Sequence, residues 1–120
     1  MSFEKIVLGT FNQASDEFGE SAGKQCTCCS LYSIVFTRLI KRPGDLNKFD
    51  ITFIVRQGYL VYKSLKTDEQ IMYNCMSLIP RKNAIFLFDS HSRNILGQPI
   101  PDGFSIFIKF KTKNDAEKYI

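Results

Sequence analysis

Three side chains in this sequence have types and positions that suit nucleophilic catalysis. Cys26 stands where a glycine-containing loop, residues 21–25, meets a long apolar segment with a helical pattern. A thiol at a helix start faces unpaired backbone N–H groups and the positive end of the helix dipole, which both favour the reactive thiolate. Asp89 and His91 lie two positions apart at the end of an apolar strand, where their side chains point the same way and the carboxylate can orient the imidazole. The pattern predicts a thiol hydrolase with Cys26 as nucleophile and His91 as base.

Acyl transfer also needs hydrogen-bond donors around the oxygen that becomes negatively charged. Removing one such donor from an enzyme typically costs about 10²- to 10³-fold in rate. The backbone N–H of Cys26 is one candidate, and a side-chain amide from the preceding loop is a natural second. The residue types alone leave three choices open, which are Asn12, Gln13 and Gln25.

The cysteine pattern also fits two other kinds of site. Cys26 and Cys29 have the C-x2-C spacing of zinc ligands, and Cys75 with His91 could complete a tetrahedral set. A structural zinc site usually has a second close pair of ligands, whereas Cys75 and His91 are far apart in the sequence. A disulfide framework is disfavoured because neighbouring cysteines pair poorly with one another. We therefore predict no metal and no cofactor, and interpret Cys28 and Cys29 as helix core.

Composition and charge narrow the classes of protein further. The chain has 120 residues, enough for one domain, and its 44% apolar and 23% charged residues are typical of a folded globular protein. The net charge of +4 is spread along the chain, so no nucleic-acid partner is expected. No apolar stretch approaches the roughly 18–20 residues of a membrane span, and the N-terminal residues lack the pattern of a secretory signal. We expect an intracellular protein, cytoplasmic or nuclear, with no membrane partner.

The first half of the chain is predicted to hold a strand, a long ordered loop and helices. Phe11 and Phe18 favour a loop that is anchored to the core. The first helix is expected to be mostly buried because its apolar residues are numerous, and Gly58 is expected to end the second. The predicted elements are a strand at 4–8, the loop at 9–25, a helix at 26–40, a helix at 46–57 and a short helix at 59–65.

The second half of the chain is predicted to form a hairpin and a final helix. An uninterrupted apolar run at residues 84–88 predicts a central strand that is covered on both faces and ends at Asp89-Ser90-His91. A second strand follows a turn-rich stretch, and the phenylalanines of both strands are expected in the core. Residues 67–77 fit either a strand or a helix. The remaining predictions are a turn at 80–83, a broad loop at 92–103, a strand at 104–110 and an N-cap at Asn114.

Two blocks of the sequence resemble the herpesvirus large tegument protein deubiquitinases, a family of cysteine peptidases. The first block consists of Gly9-Thr10-Phe11-Asn12-Gln13, Phe18-Gly19 and Ala22-Gly23-Lys24-Gln25-Cys26. The second consists of Phe88-Asp89-Ser90-His91-Ser92-Arg93-Asn94 with Gly97, Asp102 and Gly103. Both blocks match the family in order and local spacing. The stretch between them is shorter than in the family, where additional strands and loops precede the strand that carries Asp-x-His.

The resemblance implies a papain-like α+β fold in one domain over residues 1–120, with the catalytic helix packed on a small, mostly antiparallel sheet in a minimal or truncated form. Position by position, it implies Cys26 as nucleophile, His91 as base, Asp89 as orienting acid and Gln13 as the oxyanion-hole glutamine. The implied reaction is cofactor-free cleavage of ubiquitin or a ubiquitin-like modifier from lysine conjugates. The shorter middle leaves an alternative, a weak or inactive remnant of this fold that binds ubiquitin or serves as a structural module.

Overall fold

A computed structural model of the chain describes residues 4–23, 25–65 and 76–119. The elements, in chain order, are β1 (Lys5–Leu8), α1 (Cys26–Leu39), α2 (Lys48–Leu65), β2 (Ser77–Arg81), β3 (Ala84–Arg93), β4 (Phe104–Phe110) and α3 (Lys113–Tyr119). Short 3₁₀ segments occupy Asp16–Ser21 and Pro43–Asp45. These elements confirm the predicted α+β class. Most of the ambiguous stretch at 67–77 lies outside the described residues, and Ser77 begins β2.

The sheet is antiparallel and has the strand order β1-β4-β3-β2. The two central strands, β3 and β4, form the predicted hairpin, with Phe88 opposite Phe107. Strand β3 extends to Arg93, two residues beyond the predicted end at Asp89-Ser90-His91, and its register against β4 shifts between Asp89 and Arg93. Asp89 and His91 therefore lie within an irregular part of a strand, where such irregularities commonly re-aim side chains.

The alternation of side chains along β3 divides the core into two parts. Phe86 and Phe88 face the α1 and α2 side of the sheet, whereas Leu87 packs with β4 and with Ala116 of α3 on the other side. Helices thus cover both faces of the central strands, which explains the continuous apolar run at 84–88. Phe104 is 38% exposed, so the expectation that all strand phenylalanines are core residues is wrong at this position.

Helix α2 is one continuous helix, and Gly58 lies inside it rather than at its end. The helix starts with a reciprocal cap, in which Asn47 Oδ1 accepts from the Asp50 N–H at 3.0 Å and Asp50 Oδ2 accepts from the Asn47 N–H at 2.9 Å. Gly58 faces α1, where a Cβ at this position would lie 2.6 Å from the Cα of Cys29. The predicted C-cap is therefore wrong, and Gly58 instead permits the close approach of the two helices.

Replacing Gly58 by alanine should destabilise the fold, although alanine is the better helix former. The methyl group would meet the backbone of Cys29, and overpacking of this kind costs about 1–3 kcal/mol, more than the ~0.5–1 kcal/mol gained in helix propensity. Urea unfolding measures the difference. Gly44→Ala is the matched control, because no atom lies within 4 Å of its added Cβ. Equal stability of the two variants would contradict the packing described here.

The tight contact between the helices determines which side of α1 is buried. Its buried face consists mainly of small side chains, which are Cys26, Cys28, Cys29, Ser30, Ser33 and Thr37, together with Phe36. Several larger apolar residues of α1 are exposed instead, namely Leu31, Ile34, Val35 and Leu39. The prediction of a mostly buried helix is therefore wrong for the outer face, because close helix packing favours small residues over large apolar ones.

Two further boundaries differ from the predictions. Pro80 lies in β2 rather than in a turn, and β2 is an edge strand, where the missing N–H of proline is tolerated. Thr112 rather than Asn114 caps α3, because its Oγ1 accepts from the Asp115 N–H at 3.2 Å.

None of the helices in the described ranges has the length and apolar character needed to cross a membrane.

Candidate active site

Helix α1 begins at Cys26, and its first turn is joined to the preceding loop through Gln25. The Gln25 carbonyl accepts from the Cys29 N–H at 2.9 Å, which starts the helical hydrogen bonding. The Gln25 side chain is fully buried, and its Nε2 donates to the Gln13 carbonyl at 2.8 Å. Cys26 is 4% exposed at this junction. The loop that carries Gln13 is thereby held against the start of the helix that carries Cys26.

Asp89 is a fully buried carboxylate with donors on both of its oxygens. Oδ1 lies 2.6 Å from Nδ1 of His91 and also accepts from the His91 N–H at 2.9 Å. Oδ2 accepts from Nε of Arg93 at 2.8 Å. Burial opposes ionisation, but the hydrogen bonds from His91 and Arg93 outweigh it and hold the pKa of the Asp89 carboxyl below its usual value. The site therefore contains an ionised acid that fixes one nitrogen of the imidazole.

The His91 ring interacts with Asp89 on one side and with Cys26 on the other. The hydrogen bond to Asp89 is the main cause that raises the pKa of His91 to about 9, the Cys26 side chain adds to it, and burial opposes it. Nε2 is buried, and no group in the described ranges forms a hydrogen bond of ordinary geometry with it. The Cys26 side chain is therefore close enough to the ring to contribute to the raised pKa of His91.

Gln13 is joined to the strand that carries the histidine. Its backbone N–H donates to the Ser90 carbonyl at 2.9 Å, and its Oε1 accepts from Ser90 Oγ at 2.9 Å. The other two candidate amides are engaged with backbone carbonyls, since Asn12 Nδ2 donates to Gly103 at 2.9 Å and Gln25 Nε2 donates to Gln13. Within the described part of the chain, the Nε2 group of Gln13 forms no such bond. Of the three loop amides, Gln13 is therefore the one whose Nε2 is not engaged with a backbone carbonyl in these ranges.

The neighbouring cysteines lie in surroundings that keep them protonated. Burial is the first cause that raises the pKa of both the Cys28 and the Cys29 thiols, and nearby sulfur atoms add to it. Cys29 Sγ donates to the Val55 carbonyl at 3.6 Å. Cys28 and Cys29 are buried, as predicted.

No metal cluster of three or more His, Cys, Asp or Glu side chains is found among residues 4–23, 25–65 and 76–119. The alternative zinc set, which the sequence disfavours, includes Cys75, and that residue lies outside these ranges. Cys26, Cys28 and Cys29 are present as thiols. One nitrogen of His91 is already engaged by Asp89.

Arg93 is a site residue that the sequence pattern did not identify as such. Its place two residues after His91 in the sequence favours a contact for an acidic substrate group or a solvated loop charge. It instead ends β3, pairs with Asp89, and lies with its guanidinium 5.5 Å from the centre of the Tyr119 ring. The spacing from Asp89 to Arg93, four positions along one strand, places both on the same face and could have indicated the pair.

A solved viral protease has a similar fold. The chain superposes on the ubiquitin-specific protease encoded by murine cytomegalovirus tegument protein M48, solved in complex with a ubiquitin-based suicide substrate, with a TM-score of 0.72 and 11% sequence identity. The match covers 96% of this chain and 77% of the viral chain. No protein-family model and no curated protein matches this sequence. The comparison confirms the predicted papain-like α+β fold, and the resemblance to tegument-type deubiquitinases holds at the level of the fold.

Proposed function

We propose that the chain is a cysteine isopeptidase that cleaves ubiquitin or a ubiquitin-like modifier from lysine conjugates. The observation that carries the proposal is geometric: Nδ1 of His91 lies 2.6 Å from Oδ1 of fully buried Asp89, which fixes the ring. The contribution of the Cys26 side chain to the raised pKa of His91 supports a thiol close to the same ring. A nucleophile, a base and an orienting acid in this order constitute the machinery of thiol hydrolysis. The fold of a viral ubiquitin-specific protease supports the substrate class.

The first chemical step forms a thioester. With a pKa of about 9, His91 is protonated near neutral pH, and an imidazolium beside a thiol stabilises the thiolate. The sulfur of Cys26 attacks the carbonyl carbon of the modifier's C-terminal residue. The oxygen that becomes negative accepts hydrogen bonds from Nε2 of Gln13 and from the backbone N–H of Cys26. His91 then gives its proton to the lysine amine as the C–N bond breaks.

The second step releases the modifier and restores the site. A water molecule loses a proton to Nε2 of His91 and attacks the thioester carbonyl, and the Cys26 thiolate leaves. The modifier's new carboxylic acid gives its remaining proton to solvent and departs as a carboxylate, and the imidazolium again faces the thiolate. Asp89 stays ionised throughout and keeps the ring in the orientation that presents Nε2.

The proposal is tested with ubiquitin that carries a thiol-reactive electrophile at its C-terminus. We expect the folded chain to form one adduct, which peptide mass spectrometry assigns to Cys26. Cys28→Ala is the matched control and should react as the unmodified chain does, because burial keeps that thiol protonated. A folded chain that forms no adduct, or an adduct that persists in Cys26→Ala, would remove the proposed function.

Replacing Gln13 by alanine should slow turnover while binding is preserved. The amide donates to the oxygen mainly when that oxygen carries negative charge, so kcat should fall about 10²- to 10³-fold with little change in KM. Steady-state kinetics on a ubiquitin C-terminal amide substrate measures both constants. Gln57→Ala, which removes an amide from α2, is the control. An unchanged kcat in a folded Gln13→Ala chain would exclude Gln13 from the oxyanion hole.

One observation favours a second candidate function, the weak or inactive remnant of this fold that retains ubiquitin binding. Cys26 is only 4% exposed, which limits the approach of a substrate carbonyl to the sulfur. Titration with unmodified ubiquitin, followed by calorimetry, distinguishes the two functions when it is combined with the electrophile assay. Binding without adduct formation supports the remnant, and adduct formation at Cys26 supports the isopeptidase.

A further inference from the structure

We infer that Arg93 is a positioning residue for the catalytic acid and that Tyr119 of α3 holds it in place. The inference rests on the proposed roles of Asp89 and His91. It assigns to the C-terminal helix a part in orienting the base, through a chain of contacts that runs from Tyr119 to Arg93, Asp89 and His91.

The first link is the contact between Arg93 and the buried carboxylate. Oδ1 of Asp89 takes both donors of His91, and Oδ2 takes Nε of Arg93 at 2.8 Å. A fully buried carboxylate oxygen without a donor is costly. Without Arg93 the carboxylate would lose its second anchor and could rotate or take up a proton. Arg93 therefore keeps Oδ1 directed at the imidazole and keeps the acid ionised.

The second link fixes Arg93 itself. Its side chain is 19% exposed, and its guanidinium lies over the ring of Tyr119, where a cation and an aromatic face attract each other. Tyr119 is anchored in turn, because its hydroxyl donates to the Gly97 carbonyl at 2.9 Å and its ring lies 5.7 Å from that of Phe110. Burial raises the pKa of Tyr119 to about 12, so the hydroxyl stays neutral and keeps this donor.

Gly97 shows how closely the tyrosine is packed. The residue has a φ of 80°, and a Cβ at this position would lie 3.0 Å from the Tyr119 ring. The loop between β3 and β4 therefore fits directly against the aromatic side chain. The ring is held from three sides, by Arg93, Gly97 and Phe110, which leaves the guanidinium little freedom to leave Asp89.

The experiment compares Arg93→Ala with Arg56→Ala. The control variant also loses an ion pair with a carboxylate and a contact between a guanidinium and an aromatic ring. Arg56 pairs with Glu17 and lies 5.0 Å from the centre of the Phe11 ring. The readout is the proton on Nδ1 of the chain's one histidine, followed by NMR, together with steady-state kinetics on a ubiquitin C-terminal amide substrate. In Arg93→Ala we expect this proton to exchange with water at least about tenfold faster and kcat to fall about 10- to 100-fold. Arg56→Ala should change neither.

Conservative variants keep the inference testable if Arg93→Ala does not fold. Arg93→Lys retains the charge but not the planar fork, and Tyr119→Leu removes the aromatic ring and its hydroxyl anchor on Gly97 while it leaves Arg93 itself in place. Both variants should therefore show smaller changes in the same direction. Wild-type exchange and kcat in folded Arg93→Ala, or in both conservative variants, would overturn the inference. Faster exchange in a protein that has no ubiquitin turnover would retain the positioning contact and remove the proposed function instead.

Discussion

Replacing Cys26 by alanine should reduce isopeptide cleavage by about 10⁴-fold or more, since loss of a catalytic nucleophile removes the covalent route altogether. In the proposed mechanism this thiol is the nucleophile, and the helix start and the His91 imidazolium favour its anion. The remaining donors, Gln13 and the backbone N–H of residue 26, have no covalent intermediate to stabilise. The measurement is the rate at which a lysine-linked ubiquitin dimer is cleaved, followed by gel electrophoresis over hours.

The neighbouring thiol supplies the control for this prediction. Cys28→Ala removes a buried sulfur from the same helical turn, and burial raises the pKa of that thiol. Its rate should lie within about twofold of the unmodified chain, since substitutions outside the reacting groups usually have small effects. Urea unfolding of both variants establishes that the fold is retained. Comparable rates for Cys26→Ala and the unmodified chain would mean that the chemistry occurs elsewhere.

Replacing Asp89 by asparagine should have the second largest effect. An amide cannot serve as the ionised acceptor for Nδ1 of His91, and a comparable change in a serine protease triad lowers kcat by about 10⁴-fold, so we expect a loss of about 10²- to 10⁴-fold. The hydrogen bond to Asp89 is also the main cause of the raised pKa of His91. The pKa should therefore fall from about 9 towards its ordinary value of 6.5.

The pH dependence of kcat/KM tests whether the pKa of His91 falls when Asp89 is replaced. In the unmodified chain, activity should decline as pH rises through about 9, because the imidazolium that stabilises the thiolate loses its proton there. In Asp89→Asn the remaining activity should decline at a lower pH. Asp50→Asn is the control, because Asp50 caps α2 and pairs with Lys41. An alkaline limit that is the same in all three proteins would argue against the role of Asp89.

Local patterns in the sequence were sufficient to predict the helix and the strand that carry the candidate site. The start of α1 at Cys26 follows from the change from a glycine-containing loop to an apolar segment, and the central strand follows from the apolar run at 84–88. Asp89 and His91 could be paired because alternate residues of a strand share a face. These signals depend only on residues that are close together in the sequence, so one sequence is enough to reveal them.

Features that depend on packing between distant segments could not be predicted in the same way. Glycine is a residue type that commonly ends helices. Only the packing of α1 against α2 shows that Gly58 instead lies where the two helices touch. The contact of Arg93 with Tyr119 depends on where α3 lies, and the hydrogen bond from Asn12 to the Gly103 carbonyl depends on where the loop before β4 lies. In each case the deciding partner lies far away in the sequence, where local periodicity carries no information.

The most direct test of the central claim is the pKa of the single histidine, measured by NMR titration of its ring signals. The claim is that the Cys26 sulfur and the His91 imidazole share one site. The account predicts a pKa of about 9 in the unmodified chain and a lower value in Cys26→Ala, because the thiol contributes to the shift. A pKa near 6.5 that does not change when Cys26 is replaced would contradict the account.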